Sequence, residues 1–204
     1  MSTQEFTALL LFATAMSFTP GPNTTLSTAI AANFGLRRAL GFILAVPTGW
    51  TLMMLASGWG LGALVVAMPM LRLAVKALGI AYLVWLAWKL AQSSALGQAA
   101  RDSLRVSFAQ GVALQFVNIK AWMLALAIAA GWVTSAGGQP AANPGERLAI
   151  VCGVMLAFAL SSNFLYAMAG ALLRHWLLQG TRLRWFNRVM AALLLATAAW
   201  MATA

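Results

Sequence analysis

The chain has 204 residues, of which 62% are hydrophobic and 8% are charged. A soluble domain carries about 25% charged residues, so this composition excludes an ordinary soluble protein and predicts an all-α, polytopic membrane protein. The net charge of +10 would favour nucleic acid as the partner of a soluble chain. In a membrane protein, the basic loops that set orientation account for it. We therefore expect a lipid bilayer around the chain and no nucleic acid.

The reactive side chains exclude most membrane enzymes and metal carriers. Cys152 is the sole cysteine and His175 the sole histidine, so the sequence offers neither a dithiol pair nor a histidine metal site. Carboxylates are missing from the interior of the hydrophobic stretches. The sequence therefore predicts a protein that is not an enzyme and that has no metal and no cofactor.

Charged and turn-forming residues divide the chain into six hydrophobic segments, and a membrane-spanning helix needs about 20 apolar residues. The segments cover residues 5–33, 39–69, 71–91, 107–133, 147–173 and 185–204. Segment 1 starts at Glu5, lacks a preceding basic region and is long, so we interpret it as a retained span and not as a signal peptide. We predict six transmembrane helices in a single domain, 1–204.

Basic residues predict the orientation of these spans, because loops on the cytoplasmic side are enriched in Lys and Arg. With six spans, nine basic residues fall on one side and three on the other. The nine are Arg37, Arg38, Lys89, Arg101, Arg105, Arg174, Arg182, Arg184 and Arg188, and the three are Arg72, Lys76 and Arg147. Both termini are therefore predicted to lie outside, which is the periplasmic side of a bacterial inner membrane.

A weak internal repeat links segments 3 and 6. Residues 71–88 and 183–200 both begin with Leu-Arg, have a basic residue at the sixth position and end with Trp. Segment 6 is the third span after segment 3, so the two copies cross the membrane in opposite directions, as in the 3+3 inverted repeats of transporters. The candidate repeats are 1–91 and 107–204. The alternative is that two amphipathic helix ends merely look alike.

Segment 1 contains the sequence "SFTPGPNTTLS" at residues 17–27. Pro20 and Pro22 each remove a backbone donor, so the carbonyls of Met16 and Phe18 lose their helical partners. Pro22 also suits the first position of a new helix. The pattern predicts two half-helices around an unwound turn.

Such a break favours a binding site. A helix N-terminus attracts anions, and transporters use broken helices to bind substrate carboxylates and coupling ions. The alternative is a structural kink in which Thr19, Asn23 and Thr24 satisfy the loose backbone.

Segment 4 contains a second candidate, Lys120, inside the apolar sequence "QFVNIKAWML" at 115–124. An ionisable group inside a membrane costs at least about 2.5 kcal/mol and marks a functional site by default. With no carboxylate inside a predicted span, we expect its ammonium to meet a ligand, water or free carbonyls. The alternative is that Lys120 extends to the inner membrane surface.

Other polar and small residues are predicted to serve packing. In segment 5, Ser161, Ser162, Asn163 and Tyr166 favour hydrogen bonds between helices over a polar path. The spacing of Gly58 and Gly62 is typical of close helix contact, and most of the nine tryptophans are assigned to packing.

Over essentially its whole length, the chain resembles the LysE/RhtB family of amino-acid exporters. The resemblance rests on Pro20-Gly21-Pro22-Asn23, "GLRRALG" at 35–41, Tyr82-Leu83 and Asn118-Ile119-Lys120. It implies an inner-membrane carrier that exports amino acids or close derivatives, driven by the proton-motive force. The substrate-binding positions that it implies are Thr19, Pro20, Gly21, Pro22, Asn23, Asn118 and Lys120.

One departure concerns segment 4, where the family usually has Asn-Pro-Lys and this chain has Ile119 in the middle. Without the proline, nothing in the local sequence forces a break, so segment 4 is expected to continue as one helix. This departure also keeps open a second function, that of a non-transporting membrane scaffold or assembly partner, and a homo-oligomer is compatible with either function.

The leading hypothesis remains export of a small zwitterion. Its carboxylate would meet Lys120 and the half-helix that begins near Pro22. Its ammonium would meet free carbonyls and side-chain amides, namely those of Met16, Phe18, Asn23 and Asn118. Lys120 and Tyr166 are the only candidates by location for a group that exchanges protons.

Overall fold

A computed structural model of the chain describes residues 1–58, 67–92, 106–136 and 139–203. Its helices are α1 (Thr3–Phe18), α2 (Pro22–Phe34), α3 (Leu36–Gly58), α4 (Pro69–Gln92), α5 (Phe108–Val117), α6 (Ile119–Ile128), α7 (Pro144–Leu177) and α8 (Arg182–Thr203). A π-helical turn, Ala129–Val133, continues α6. Ser135–Ala136 then pairs antiparallel with Gln139–Pro140. Helices thus dominate the described residues, which confirms the all-α prediction.

Several of these helices are suited to cross a membrane. Among the described residues, α3, α4, α7 and α8 are long and apolar enough, and the bent pair of α5 and α6 makes a fifth candidate if it counts as one span. The helices α1 and α2 have 16 and 13 residues, so each is shorter than a span of about 20 residues. The chain is therefore a multi-pass helical membrane protein.

The predicted break in segment 1 is confirmed. α1 ends at Phe18, and Thr19 adopts an extended conformation with φ −71° and ψ 129°. Gly21 is extended as well, and Pro22 is the first residue of α2. The residue before each proline is thus kept out of the helical region, as steric contact with the proline ring requires.

The prediction that segment 4 is one continuous helix is wrong. α5 ends at Val117, Asn118 is extended with φ −91° and ψ 97°, and the two helical parts meet at an angle of 71°. The Trp122 indole N–H donates to the carbonyl of Phe116 at 2.7 Å, replacing the helical partner that this carbonyl would otherwise have. A side chain therefore stabilises the break that proline would have enforced.

Close packing against α4 accompanies this second break. A Cβ atom at Gly79 would collide with the carbonyl oxygen of Val117, so glycine is what allows α4 to lie directly against the unwound residues. Gly170 of α7 lies in the same way against the carbonyl of Thr28 on α2. The predicted contact of Gly62 falls outside the described residues.

The two breaks meet near the centre of the helix bundle. α2 packs against α3, α7 and α8, while α3 packs against both α5 and α6, and α4 packs against α8. The buried core includes Leu9 of α1, Leu26 of α2, Phe42 of α3, Leu83 of α4 and Leu194 of α8. α2, which starts at the first break, is thereby enclosed by protein.

A salt bridge ties together the helix ends near the N-terminus. The guanidinium of Arg147, in the first turn of α7, donates to both carboxylate oxygens of Glu5 at 3.1 and 3.0 Å. It also donates to the carbonyls of Trp132 and Ser135, each at 3.2 Å. The Trp132 indole donates in turn to the Glu5 carbonyl at 3.0 Å. This network holds the start of α1, the end of the α6 segment and the start of α7 together.

Candidate functional site

A cavity of about 120 Å³ lies between the two helix breaks. α1, α2, α3, α7 and both sides of the second break contribute to its wall. The described residues that line it are Met16, Ser17, Thr19, Gly21, Pro22, Asn23, Thr24, Val46, Trp50, Gln115, Asn118, Ala121, Leu124, Met155, Ala159, Ser162 and Asn163. Residues of two unwound turns and polar residues of several helices therefore line one cavity.

Most of the residues predicted for substrate binding come together here. Thr19, Gly21, Pro22, Asn23 and Asn118 all line the cavity. The structure thus brings the two motifs, which are 95 residues apart between Asn23 and Asn118, to one place. Their grouping follows from the fold and from neither motif alone.

Pro20 and Lys120 have different positions. Pro20 borders a second groove on the α8 side of the break, which Leu193, Thr197 and Trp200 also line. Lys120 belongs to the first turn of α6, directly after the second break, and its side chain lies outside what the structure describes. Its backbone position is next to the cavity wall at Asn118 and Ala121.

The N-terminus of α2 adjoins the cavity as an electropositive element. The Thr24 hydroxyl accepts from the Gly21 N–H at 2.9 Å, which caps the first turn. The N–H groups of Asn23 and Thr24 precede the first helical hydrogen bond of α2, donated by Thr25 to Gly21, so they have no carbonyl partner within the helix. Together with the helix dipole, they favour a negatively charged group in the cavity.

A pair of amides connects the two breaks. Asn23 donates to Gln115 at 3.0 Å, and Gln115 donates back to Asn23 at 3.1 Å. Gln115 is fully buried and also donates to the Gly111 carbonyl. Gln115 was not among the predicted site residues, although an amide inside an apolar segment was a signal that could have identified it.

The carbonyls freed at the end of α1 are less open than expected. The hydroxyl of Tyr166, from α7, donates to the carbonyl of Phe18 at 3.0 Å. The hypothesis that Phe18 offers a bare carbonyl is therefore wrong, because another helix supplies the missing donor.

Asn163 and Tyr166 of segment 5 bond to other helices, as predicted, whereas the hydroxyls of Ser161 and Ser162 donate to carbonyls within α7. Asn163 accepts from the Ser27 hydroxyl at 2.9 Å, and Tyr166 reaches Phe18. Ser161 instead bonds within its own helix, to the Ala157 carbonyl. Ser162 and Asn163 also line the cavity, so this part of α7 contributes both to packing and to the wall.

Two buried polar atoms of the cavity-lining residues lack a hydrogen-bond partner among the described residues. They are Nε1 of Trp50 and Oδ1 of Asn118. Leaving such an atom unpaired costs about 1–3 kcal/mol. Trp50 is only 6% exposed; from sequence it was grouped with the packing tryptophans, and no local pattern distinguishes it from them.

The described wall of the cavity is uncharged. None of the lining residues that the structure describes is charged. In the same described part of the chain, no group of three His, Cys, Asp or Glu residues could hold a metal ion. What the wall presents is a helix N-terminus, amide groups, hydroxyls and an indole.

Comparison with known proteins gives a consistent result. Residues 14–204 match the family model of the LysE type translocators. A "Cysteine/O-acetylserine efflux protein" of Klebsiella pneumoniae subsp. pneumoniae is 30% identical over 196 residues, which is 95% of each chain. A protein of the same name from Escherichia coli O139:H28 is also 30% identical, over 88% of each chain. Another, from Salmonella choleraesuis, is 30% identical over 76% of this chain and 77% of the relative. No solved structure matches the chain.

Proposed function

The chain belongs to the LysE type translocator family, and from that premise we propose that it exports a small zwitterionic amino acid or derivative across a bacterial inner membrane. The observation that carries this proposal is the cavity between the two helix breaks, whose wall combines a helix N-terminus, amides and hydroxyls with apolar side chains. The relatives named for efflux of cysteine and O-acetylserine support a substrate with a short, uncharged side chain.

The size and polarity of the cavity support such a substrate. Its volume of about 120 Å³ is well below the 300–1,000 Å³ of pockets for drug-sized ligands. In the proposed complex, the carboxylate lies at the N-terminus of α2 and near Lys120. The ammonium lies near the Met16 carbonyl and Asn118. Thr19, Pro20, Gly21, Pro22 and Asn23 form the turn that keeps this end of the site unwound.

Six spans result if each broken pair, α1 with α2 and α5 with α6, crosses the membrane once. An inverted repeat of 1–91 and 107–204 within one domain, 1–204, is supported by matching features. Each pair starts with a serine capping box, Ser2 with Glu5 and Ser107 with Gln110. In such a repeat, α1, α2 and α3 correspond to α5, α6 and α7. The packing of α3 on α5 then matches the packing of α7 on α1, and the packing of α2 on α7 matches the packing of α6 on α3.

Proton coupling is a further part of the proposal. A proton-driven exporter needs a group in the path that titrates, and lysine can lose its proton near neutral pH when it is desolvated. Lys120 is the candidate by position, and Tyr166 is committed to the Phe18 carbonyl. The scaffold alternative drew on the glycines, the tryptophans and the missing proline at residue 119, and the break between α5 and α6 supports a carrier over a scaffold.

Purified protein in liposomes tests the proposal. Vesicles loaded with labelled cysteine or O-acetylserine are expected to release the label faster than protein-free vesicles do, with an initial rate that depends on the pH difference across the membrane. Release no faster than from protein-free vesicles, for both compounds, would contradict amino-acid export. Release that is independent of the pH difference would contradict proton coupling alone.

A further inference from the structure

We propose that the indole N–H of Trp50 binds the substrate carboxylate, and that Trp50 and Asn118 together select molecules that have both a carboxylate and an ammonium group. This inference rests on the proposed transport function. It assigns a specificity-determining role to Trp50, a residue of α3 that belongs to neither of the helix breaks.

The first observation is the unpaired indole of Trp50. The side chain lines the cavity, the residue is 6% exposed, and Nε1 has no partner among the described residues. Two other tryptophans with partly buried indoles do have partners: Trp122 donates to the carbonyl of Phe116, and Trp132 donates to the carbonyl of Glu5. Trp50 therefore departs from the pattern of these two tryptophans, and it does so at a cavity where a ligand could supply the partner.

The second observation is the unpaired oxygen of Asn118. This residue is 9% exposed and lines the same cavity, and its Oδ1 is buried without a partner in the described part of the chain. An indole nitrogen can only donate, whereas an amide oxygen can only accept. Two residues of the cavity wall thus contain one buried donor and one buried acceptor that are unpaired among the described residues.

A ligand that pairs with both groups needs an acceptor for the indole N–H of Trp50 and a donor for the amide oxygen of Asn118. Both atoms are buried without a partner in the described part of the chain, and both residues line the cavity; we therefore assign the missing partners to a molecule bound there. A carboxylate accepts from the indole in a charge-assisted bond, at the same site as the N-terminus of α2. An ammonium donates to Asn118. A site with buried polar groups of this kind strongly rejects analogues that lack the matching group, because its own groups then stay unpaired.

The experiment compares three thiols as competitors of labelled cysteine exchange in proteoliposomes under reducing conditions. Cysteine has both charged groups, cysteamine lacks the carboxylate, and 3-mercaptopropionate lacks the ammonium. Trp50→Phe keeps an aromatic side chain, although a smaller one, and removes the N–H. We expect it to raise the cysteine concentration for half-maximal competition about tenfold or more and to leave that of cysteamine within about twofold. Trp88→Phe, at an exposed tryptophan outside the cavity, serves as the matched control and is expected to change neither.

Asn118→Ala tests recognition of the ammonium group. It is expected to weaken competition by cysteine and to leave competition by 3-mercaptopropionate, which lacks the ammonium, unchanged. Trp50→His retains a ring N–H and is expected to recover part of the preference for cysteine over cysteamine.

The outcomes separate the inference from the transport proposal. Suppose that the wild-type protein exchanges cysteine, but Trp50→Phe weakens competition by cysteine and by cysteamine equally, or weakens neither. Trp50 then does not donate the hydrogen bond to the substrate carboxylate. The same conclusion follows if Trp50→His prefers cysteine over cysteamine no more strongly than Trp50→Phe does. Absence of any cysteine or O-acetylserine exchange by the wild type would instead overturn the transport proposal, and this inference with it.

Discussion

Lys120 is the single residue whose chemistry matters most for the proposed export. It follows the second helix break directly, next to a cavity wall whose described side chains are uncharged. A lysine at this depth is costly unless it has a partner. A substrate carboxylate is the partner that the proposal assigns to it.

We therefore expect Lys120→Ala to abolish most of the export of cysteine, with a loss of about ten- to a hundredfold in rate, because a charge-assisted hydrogen bond contributes about 1.5–3 kcal/mol. The measurement is efflux from proteoliposomes, with the amount of inserted protein determined in parallel. Lys89→Ala is the matched control, because Lys89 lies over the ring of Trp85 at 3.9 Å in the last turn of α4. Export by the Lys120→Ala protein at the wild-type rate would remove Lys120 from the mechanism.

Residues of the site differ in how far sequence alone could predict them. Pro20 and Pro22 act on their own backbone, so the break they cause was predictable and is confirmed. Gln115 and Trp50 gain their roles from partners or spaces provided by other helices. Their spacing along the chain holds no information on those partners, and sequence reasoning therefore missed both.

At the scale of helices, the second break shows how an element can be shaped by distant residues. Proline is absent, yet α5 and α6 separate at Asn118. Trp122 supplies a donor to the free carbonyl, and Gly79 of α4 lets a neighbouring helix lie against the unwound turn. A prediction based on the local sequence of segment 4 could include neither contribution, and so it gave a continuous helix.

Gly79→Ala tests whether close packing shapes the second break. The added Cβ would collide with the Val117 carbonyl, so α4 and the break must move apart. We expect a destabilisation of about 1–3 kcal/mol, typical of overpacking, seen as a lower Tm in detergent, together with slower export.

Gly153→Ala provides the control for that change. Gly153 lies inside α7, and a Cβ there would meet nothing within 4 Å. Because alanine favours helix over glycine, its Tm is expected to be unchanged or slightly higher. A Gly79→Ala protein as stable and active as the Gly153→Ala protein would contradict the idea that close packing of α4 shapes the break.

For the whole molecule, the sequence predicted fold class well and topology only in part. Composition was sufficient for a helical membrane protein, since apolar content is a property of the whole chain. Counting spans is harder, because α1 and α2 are each too short to cross alone. The described residues give four membrane-length helices, or five with the bent pair. Six spans and the inverted repeat therefore stay predictions.

The predicted orientation can be measured directly. With six spans, nine basic residues lie on one side and three on the other, so both termini are expected to lie on the periplasmic side of the inner membrane. Alkaline phosphatase fused after residue 204 is expected to be active, and a green fluorescent protein fused there is expected to be dark, since the first folds only outside and the second only inside. The opposite pair of signals would show an inverted chain or an odd number of spans.

The cavity between the two breaks is the proposed path of the substrate through the whole molecule. Ala159 of α7 lines this cavity, whereas Ala157, on the same helix, is exposed and does not. The most direct test is cysteine efflux from proteoliposomes containing Ala159→Phe or Ala157→Phe. We predict that the first variant loses efflux while it keeps its insertion and that the second transports like the wild type. Efflux through Ala159→Phe at the wild-type rate would contradict the assignment of the cavity as the transport site.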